Sequence, residues 1–112
     1  MKKNPELNKL IEELSGKEEK IWKNLARRLS GPRRNLTLVN LARLNRYASN
    51  KEKIVVPGKV LGYGNIEKEI LVSALSFSGE AERKIKKAGG KCYTIGELLK
   101  ESPKGEKIRI FG

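Results

Sequence analysis

Apolar residues recur along this chain first at helical spacing and then in short runs of strand type. Leu7, Leu10, Ile11 and Leu14 share one helical face, with Asn4 placed to cap the helix and Pro5 suited to its first position. The helix is expected to end at Ser15 or Gly16. A second is expected to start at once, because Ser15 and Glu18 have capping-box spacing and Ile21, Trp22, Leu25 and Leu29 form the next apolar face. Ser30-Gly31-Pro32-Arg33-Arg34-Asn35 breaks the pattern as a turn that exposes two arginines. A third helix is expected from Leu36 or Thr37 to Ala48, burying Leu38, Leu41, Leu44 and Ala48.

After the polar break Ser49-Asn50-Lys51-Glu52-Lys53 the period changes. Ile54-Val55-Val56 reads as a strand stopped by Pro57-Gly58, and Val60-Leu61 as a second short segment. The stretch from Ile70 to Leu75 reads as a buried strand. Ser78 is expected to cap a helix that turns Ala81, Ile85 and Ala88 inward and stops at Gly89-Gly90. Cys92 and Tyr93 suit a short strand, and Thr94 with Glu97 has capping-box spacing for a helix carrying Ile95, Leu98 and Leu99. Ser102-Pro103-Lys104-Gly105 turns the chain into a last strand, where Ile108 and Ile110 alternate with Lys107 and Arg109. The expected class is therefore α/β: N-terminal helices followed by short strands and helices with a mainly parallel sheet. One domain over residues 1–112 is expected, with 1–50 as a basic helical segment and 51–112 as the α/β part.

Composition narrows the function. The chain has 112 residues, 38% of them hydrophobic and 34% charged, and a formal net charge of +12. Residues 20–59 hold 11 basic residues and one acid, Glu52, whereas the rest of the chain holds 14 basic and 12 acidic residues. Such an unscreened block repels itself unless a polyanion neutralises it. The candidate contacts to nucleic acid are Lys20, Lys23, Arg27, Arg28, Arg33, Arg34, Arg43, Arg46, Lys51, Lys53 and Lys59. Arginine is well represented among them, and its planar fork of donors matches phosphate oxygens at a lower desolvation cost than an ammonium. Three arginine pairs, 27/28, 33/34 and 43/46, are expected along one side of a helix-turn-helix. No ordered Asn or Gln positions resemble a base-reading helix, so backbone and shape recognition is favoured.

Other chemistry finds little support in the residues. There is no histidine and a single cysteine, Cys92, which removes the commonest general base, transition-metal sites and any internal disulfide together. Gly62-Tyr63-Gly64 has the start of a dinucleotide-binding loop, but Glu67 stands at the third glycine position and would repel a pyrophosphate, so a plain turn is expected. Glu67/Glu69 and Glu80/Glu82 are spaced to point apart on a helix and read as solvated charges. Trp22 is read as core, while Tyr47 and Tyr63 are more exposed by pattern and candidates to stack on unpaired bases. No run reaches the length of a membrane span and no secretion signal opens the chain, so a cytoplasmic protein without membrane, cofactor or small-molecule partner is expected. The Lys/Glu-rich composition, with no Asp or Gln, points to a thermophilic source, an inference weakened by eight asparagines.

Several segments together carry a resemblance. Val55-Val56-Pro57-Gly58-Lys59-Val60-Leu61-Gly62, Ser73-Ala74-Leu75-Ser76-Phe77-Ser78, Ala88-Gly89-Gly90 and Pro103-Lys104-Gly105 resemble the archaeal and eukaryotic large-subunit ribosomal protein family eighteen-e. The C-terminal domain of that family is similar to that of bacterial large-subunit protein fifteen. Pro32-Arg33-Arg34-Asn35 and Val39-Asn40-Leu41-Ala42-Arg43-Leu44 look like the family's basic turn and helix. The resemblance implies a small domain of irregular strand-strand-helix layers and a structural, non-catalytic place in the ribosome. Its implied partners are large-subunit ribosomal RNA and neighbouring ribosomal proteins. The short length without a basic C-terminal tail looks archaeal. The competing readings are a free RNA- or DNA-binding module, such as an RNA chaperone or chromatin protein, and a small α/β enzyme.

Overall fold

The computed structural model describes residues 5–30 and 36–111; the expected Asn4 cap and the turn holding Arg33 and Arg34 lie outside them. In chain order the elements are α1 (Pro5–Ser15), α2 (Lys20–Leu29), β1 (Thr37–Asn40), α3 (Leu41–Tyr47), β2 (Lys53–Leu61), β3 (Leu71–Phe77), α4 (Gly79–Lys87), β4 (Lys91–Thr94), α5 (Ile95–Glu101) and β5 (Ile108–Ile110). The strands order as β1-β2-β3-β4, with β5 also on β2, and every pairing is parallel.

A parallel sheet is buried on both faces, so alternate residues of one strand serve two cores. Ile54, Val56 and Val60 of β2, with Val72 and Ala74 of β3, meet Leu41 and Leu44 of α3 and Ala81 and Ile85 of α4. Val55 belongs to the other core, with Leu14, Trp22, Leu25 and Leu29 from α1 and α2 and Ile95, Leu98 and Leu99 from α5. Trp22 is fully buried, as its place on the apolar face of the helix predicts, and its indole N–H donates to the Pro103 carbonyl at 2.7 Å.

Three local expectations are corrected. The second helix begins at Lys20, not at Ser15, and its N-cap Glu19 makes no side-chain cap. Residues 16–19 serve as the connection that brings Leu14 into one cluster with Trp22 and Leu25. The third helix begins at Leu41, because Thr37–Asn40 pairs as a parallel strand with residues 58–61. Leu38, expected in the core, is 66% exposed, and Val39 is buried in its place. The helical period through Leu38, Leu41 and Leu44 is real, but a strand partner more than fifteen residues away outweighs it.

Finally, Pro57-Gly58 does not stop β2, which runs unbroken from Lys53 to Leu61. Proline has no N–H for a ladder, and Pro57 falls in the gap of the register, paired with no residue of β1, β3 or β5. The β3 register shifts between Val56 and Lys59, and β5 and β1 divide the remaining edge, β5 on residues 53–55 and β1 on 58–61. Gly58 is a steric necessity there, since a Cβ on it would stand 1.9 Å from the Thr37 carbonyl oxygen.

The C-terminal helices agree with their sequence signals. The Ser78 hydroxyl accepts from the Ala81 N–H at 3.1 Å, and both halves of the Thr94/Glu97 capping box are formed. The Thr94 N–H, which donates to the Glu97 carboxylate at 2.8 Å, and after it the Thr94 hydroxyl hold that carboxyl below its ordinary range.

Candidate nucleic-acid interface

Lys20, Lys23, Arg27 and Arg28 lie exposed along the outer face of α2, opposite Trp22, Leu25 and Leu29. Arg43 and Arg46 lie exposed on α3, which packs on the other side of the sheet. The expected helix-turn-helix with all arginine pairs along one side is therefore not formed. A strand separates the two helices, and the sheet separates their cationic faces. Arg33 and Arg34, between them in sequence, lie outside the described residues. Lys51 and Lys53 are exposed beside the start of β2, Lys51 in a left-handed conformation at φ 66°. Lys59 is exposed near the far end of the same strand, on the rim of an apolar cavity of about 810 Å³ between α1 and the sheet.

The cations of the ion pairs found among the described residues all lie outside this set. Lys84 pairs with Glu80 at 2.9 Å and Lys86 with Glu82 at 2.7 Å, both one turn apart on α4. Glu80 is consequently held below the ordinary carboxyl range, and the Lys86 ammonium above its own. Among the described residues none of Lys20, Lys23, Arg27, Arg43, Arg46, Lys51, Lys53 or Lys59 pairs with a carboxylate. Glu52, the one acid of the basic block, does not screen them. Its Oε2 meets Arg109 Nε at 3.2 Å and its Oε1 accepts from the Ser49 N–H at 2.8 Å.

Arg109 is the residue that the sequence pattern undervalued. Read only as the polar partner of Ile108 and Ile110, it reaches across to donate to the Tyr47 carbonyl at 2.9 Å as well as to Glu52. Its guanidinium carbon lies 5.4 Å from the centroid of Phe111, and that of Arg43 lies at the same distance from the same ring. Arg46 lies 5.7 Å from the ring of Tyr47, itself 57% exposed. The aromatic faces hold three guanidinium groups at one end of α3 and β5. The charge of Arg109 is met by Glu52, so Arg43 and Arg46 are the guanidinium groups of this cluster left to an arriving anion. The available signal was Phe111 two residues after Arg109, a spacing that puts both side chains on the same side of an extended chain.

No cluster of acids or cysteine that could bind a metal occurs among the described residues. Burial pushes the Cys92 thiol up to about 11, helped by the Glu82 carboxylate and opposed by Lys86, so it remains a protonated, half-buried packing residue. No described helix is long and apolar enough to cross a membrane.

The profile of the family described as ribosomal protein 60S L18 and 50S L18e matches residues 6–111. The chain belongs to this L18/L18e family. It is similar to the large ribosomal subunit proteins eL18 of Archaeoglobus fulgidus, at 49% identity over 98% of this chain and 97% of the relative, and Methanoregula boonei, at 48% over 98% and 94%. That of Methanothermobacter thermautotrophicus is 46% identical over the same shares, 98% and 94%. The resemblance read from the Pro57-Gly58 and Pro103-Lys104-Gly105 segments thus holds over nearly the whole chain. As an L18/L18e protein the chain is a structural ribosomal component and not an enzyme. Its place is the ribosome, which in archaea is cytoplasmic.

Proposed function

We propose that this chain is a constituent of the large ribosomal subunit that binds ribosomal RNA mainly through phosphate-backbone contacts, beside neighbouring ribosomal proteins. The names of its relatives support the subunit, and the concentration of 11 basic residues against one acid over residues 20–59, with that acid, Glu52, held by Arg109, carries the contact mode. The proposed contacts are Lys20, Lys23, Arg27 and Arg28 on α2, Arg43 and Arg46 on α3, and Lys51, Lys53 and Lys59, together with Arg33 and Arg34, which follow α2 in the sequence. Since α2 and α3 flank opposite faces of the sheet, the protein reaches RNA on two sides instead of tracking one groove. Cation-to-phosphate contact of this kind positions the protein without reading sequence.

Binding of the full chain to large-subunit ribosomal RNA over a salt series tests this reading. The affinity is expected to fall steeply with salt. Changing Arg33 and Arg34, or Arg43 and Arg46, to Ala is expected to lower the slope of log K against log salt by roughly 0.7 to 0.9 per lost phosphate contact. Circular dichroism confirms that each variant is folded. Slopes unchanged in both double variants would overturn the proposal.

A further inference from the structure

The 62–65 loop is held far more firmly than a plain turn requires. Lys84 Nζ, on α4, donates to the Gly62 carbonyl at 2.9 Å and to the Gly64 carbonyl at 2.8 Å. Between them the Tyr63 carbonyl accepts from the Ala42 N–H of α3 at 3.0 Å. The loop is also wedged: Gly64 has φ +90°, and a Cβ on it would stand 2.5 Å from that of Ala42. A Cβ on Gly62 would stand 2.7 Å from that of Glu80. On this fixed backbone Tyr63 turns its side chain outward and is 75% exposed, the most exposed large apolar or aromatic residue described.

Holding an exposed ring this way lowers the entropy lost when it meets a partner. The partner's chemistry follows from the surroundings. Residues 53–66 contain no acid, the Glu80 carboxylate packed near Gly62 is paired with Lys84, and Glu67, the next acid, stands two residues beyond the loop with its N–H donating to Asn45 Oδ1. Arg43, without a carboxylate partner, follows Ala42 directly on α3. Because the peptides are trans and the carbonyls of 62, 63 and 64 are bound inward, the N–H groups of Tyr63, Gly64 and Asn65 are turned away from those bonds. The loop therefore offers a π-face beside the positive ends of backbone dipoles, a combination suited to one nucleotide of a polyanion.

We propose that Tyr63 is a stacking platform for an unpaired base of ribosomal RNA. This rests on the RNA-binding reading above and adds to it a contact that does not depend on side-chain charge. The full chain carrying Tyr63→Ala is expected to bind large-subunit ribosomal RNA roughly five- to a hundredfold more weakly, the value of one base stacked on an aromatic ring. Its salt slope should equal that of the unmodified chain, since no cation is lost. Tyr63→Phe should bind like the unmodified chain. Ultraviolet crosslinking of intact large subunits should join the Tyr63 peptide to a base, a readout that needs no variant.

Full-strength binding by Tyr63→Ala would overturn the proposal, as would an equal loss in Tyr63→Phe. So would a crosslink to a neighbouring protein in place of a base. If Tyr63→Ala is silent while Arg43→Ala with Arg46→Ala still lowers the slope, only the stacking proposal fails. If the unmodified chain shows no salt-dependent binding, the RNA reading itself fails.

Discussion

Cys92 and Glu52 show how neighbours decide what a side chain can do. Both were visible in the sequence as isolated residues, one the only thiol and one the only acid in a basic block. Cys92 packs against the α3/α4 core, and burial moves its thiol from 9.0 to about 11. At neutral pH that leaves about a hundredfold less thiolate than an ordinary cysteine, and the thiolate is the nucleophile. A disulfide exchange reagent at neutral pH is expected to react roughly ten- to a hundredfold faster with the denatured chain than with the folded one, since the scarcer thiolate of the folded chain is also the more nucleophilic. Equal rates would place the thiol in solvent. For Glu52 the sequence showed a charge, but not that Arg109, far along the chain, would bind it and leave the surrounding cations unscreened.

Elements were legible where their signals are local. The Ser78 cap and the Thr94/Glu97 capping box join atoms three residues apart, so the sequence contains both partners of each hydrogen bond. Strand β1 was not legible, because Thr37–Asn40 satisfies its backbone on residues 58–61 and its apolar spacing also fits a helix. Nor was the continuity of β2 through Pro57, which depends on two different partner strands sharing one edge. Gly58→Ala is the sharpest test of this arrangement. Its Cβ would overlap the Thr37 carbonyl, and backbone cannot give way as a flexible side chain can. A loss of about 3 kcal/mol in urea unfolding is expected, in the range of an overpacked core site. A loss below 0.5 kcal/mol, the scale of an ordinary surface change, would mean β1 does not lie against Gly58.

At the scale of the molecule, the two cores lie on either side of one sheet, and the α1/α2 helices are half of the second core. A fragment of residues 51–112 leaves Val55, Ile95, Leu98 and Leu99 without Leu14, Trp22, Leu25 and Leu29, and leaves β2 without β1. It is expected to lack a cooperative thermal transition by circular dichroism, whereas the full chain melts in one step. A cooperative melt of the fragment would make the α/β part an independent unit.

From residues alone the chain could be read as an α/β protein with a basic block, buried Trp22, capped C-terminal helices and the segment pattern of a ribosomal family. Each of these depends on composition or on groups a few positions apart. Tertiary structure decided that residues 37–40 form a strand and that the α2 and α3 cations face opposite sides. It also recruited Arg109 to the arginine cluster and held the 62–65 loop by Lys84 and Ala42. These outcomes depend on which distant groups become neighbours, and a long-range strand pairing or ion pair has no signature in the local spacing of the chain.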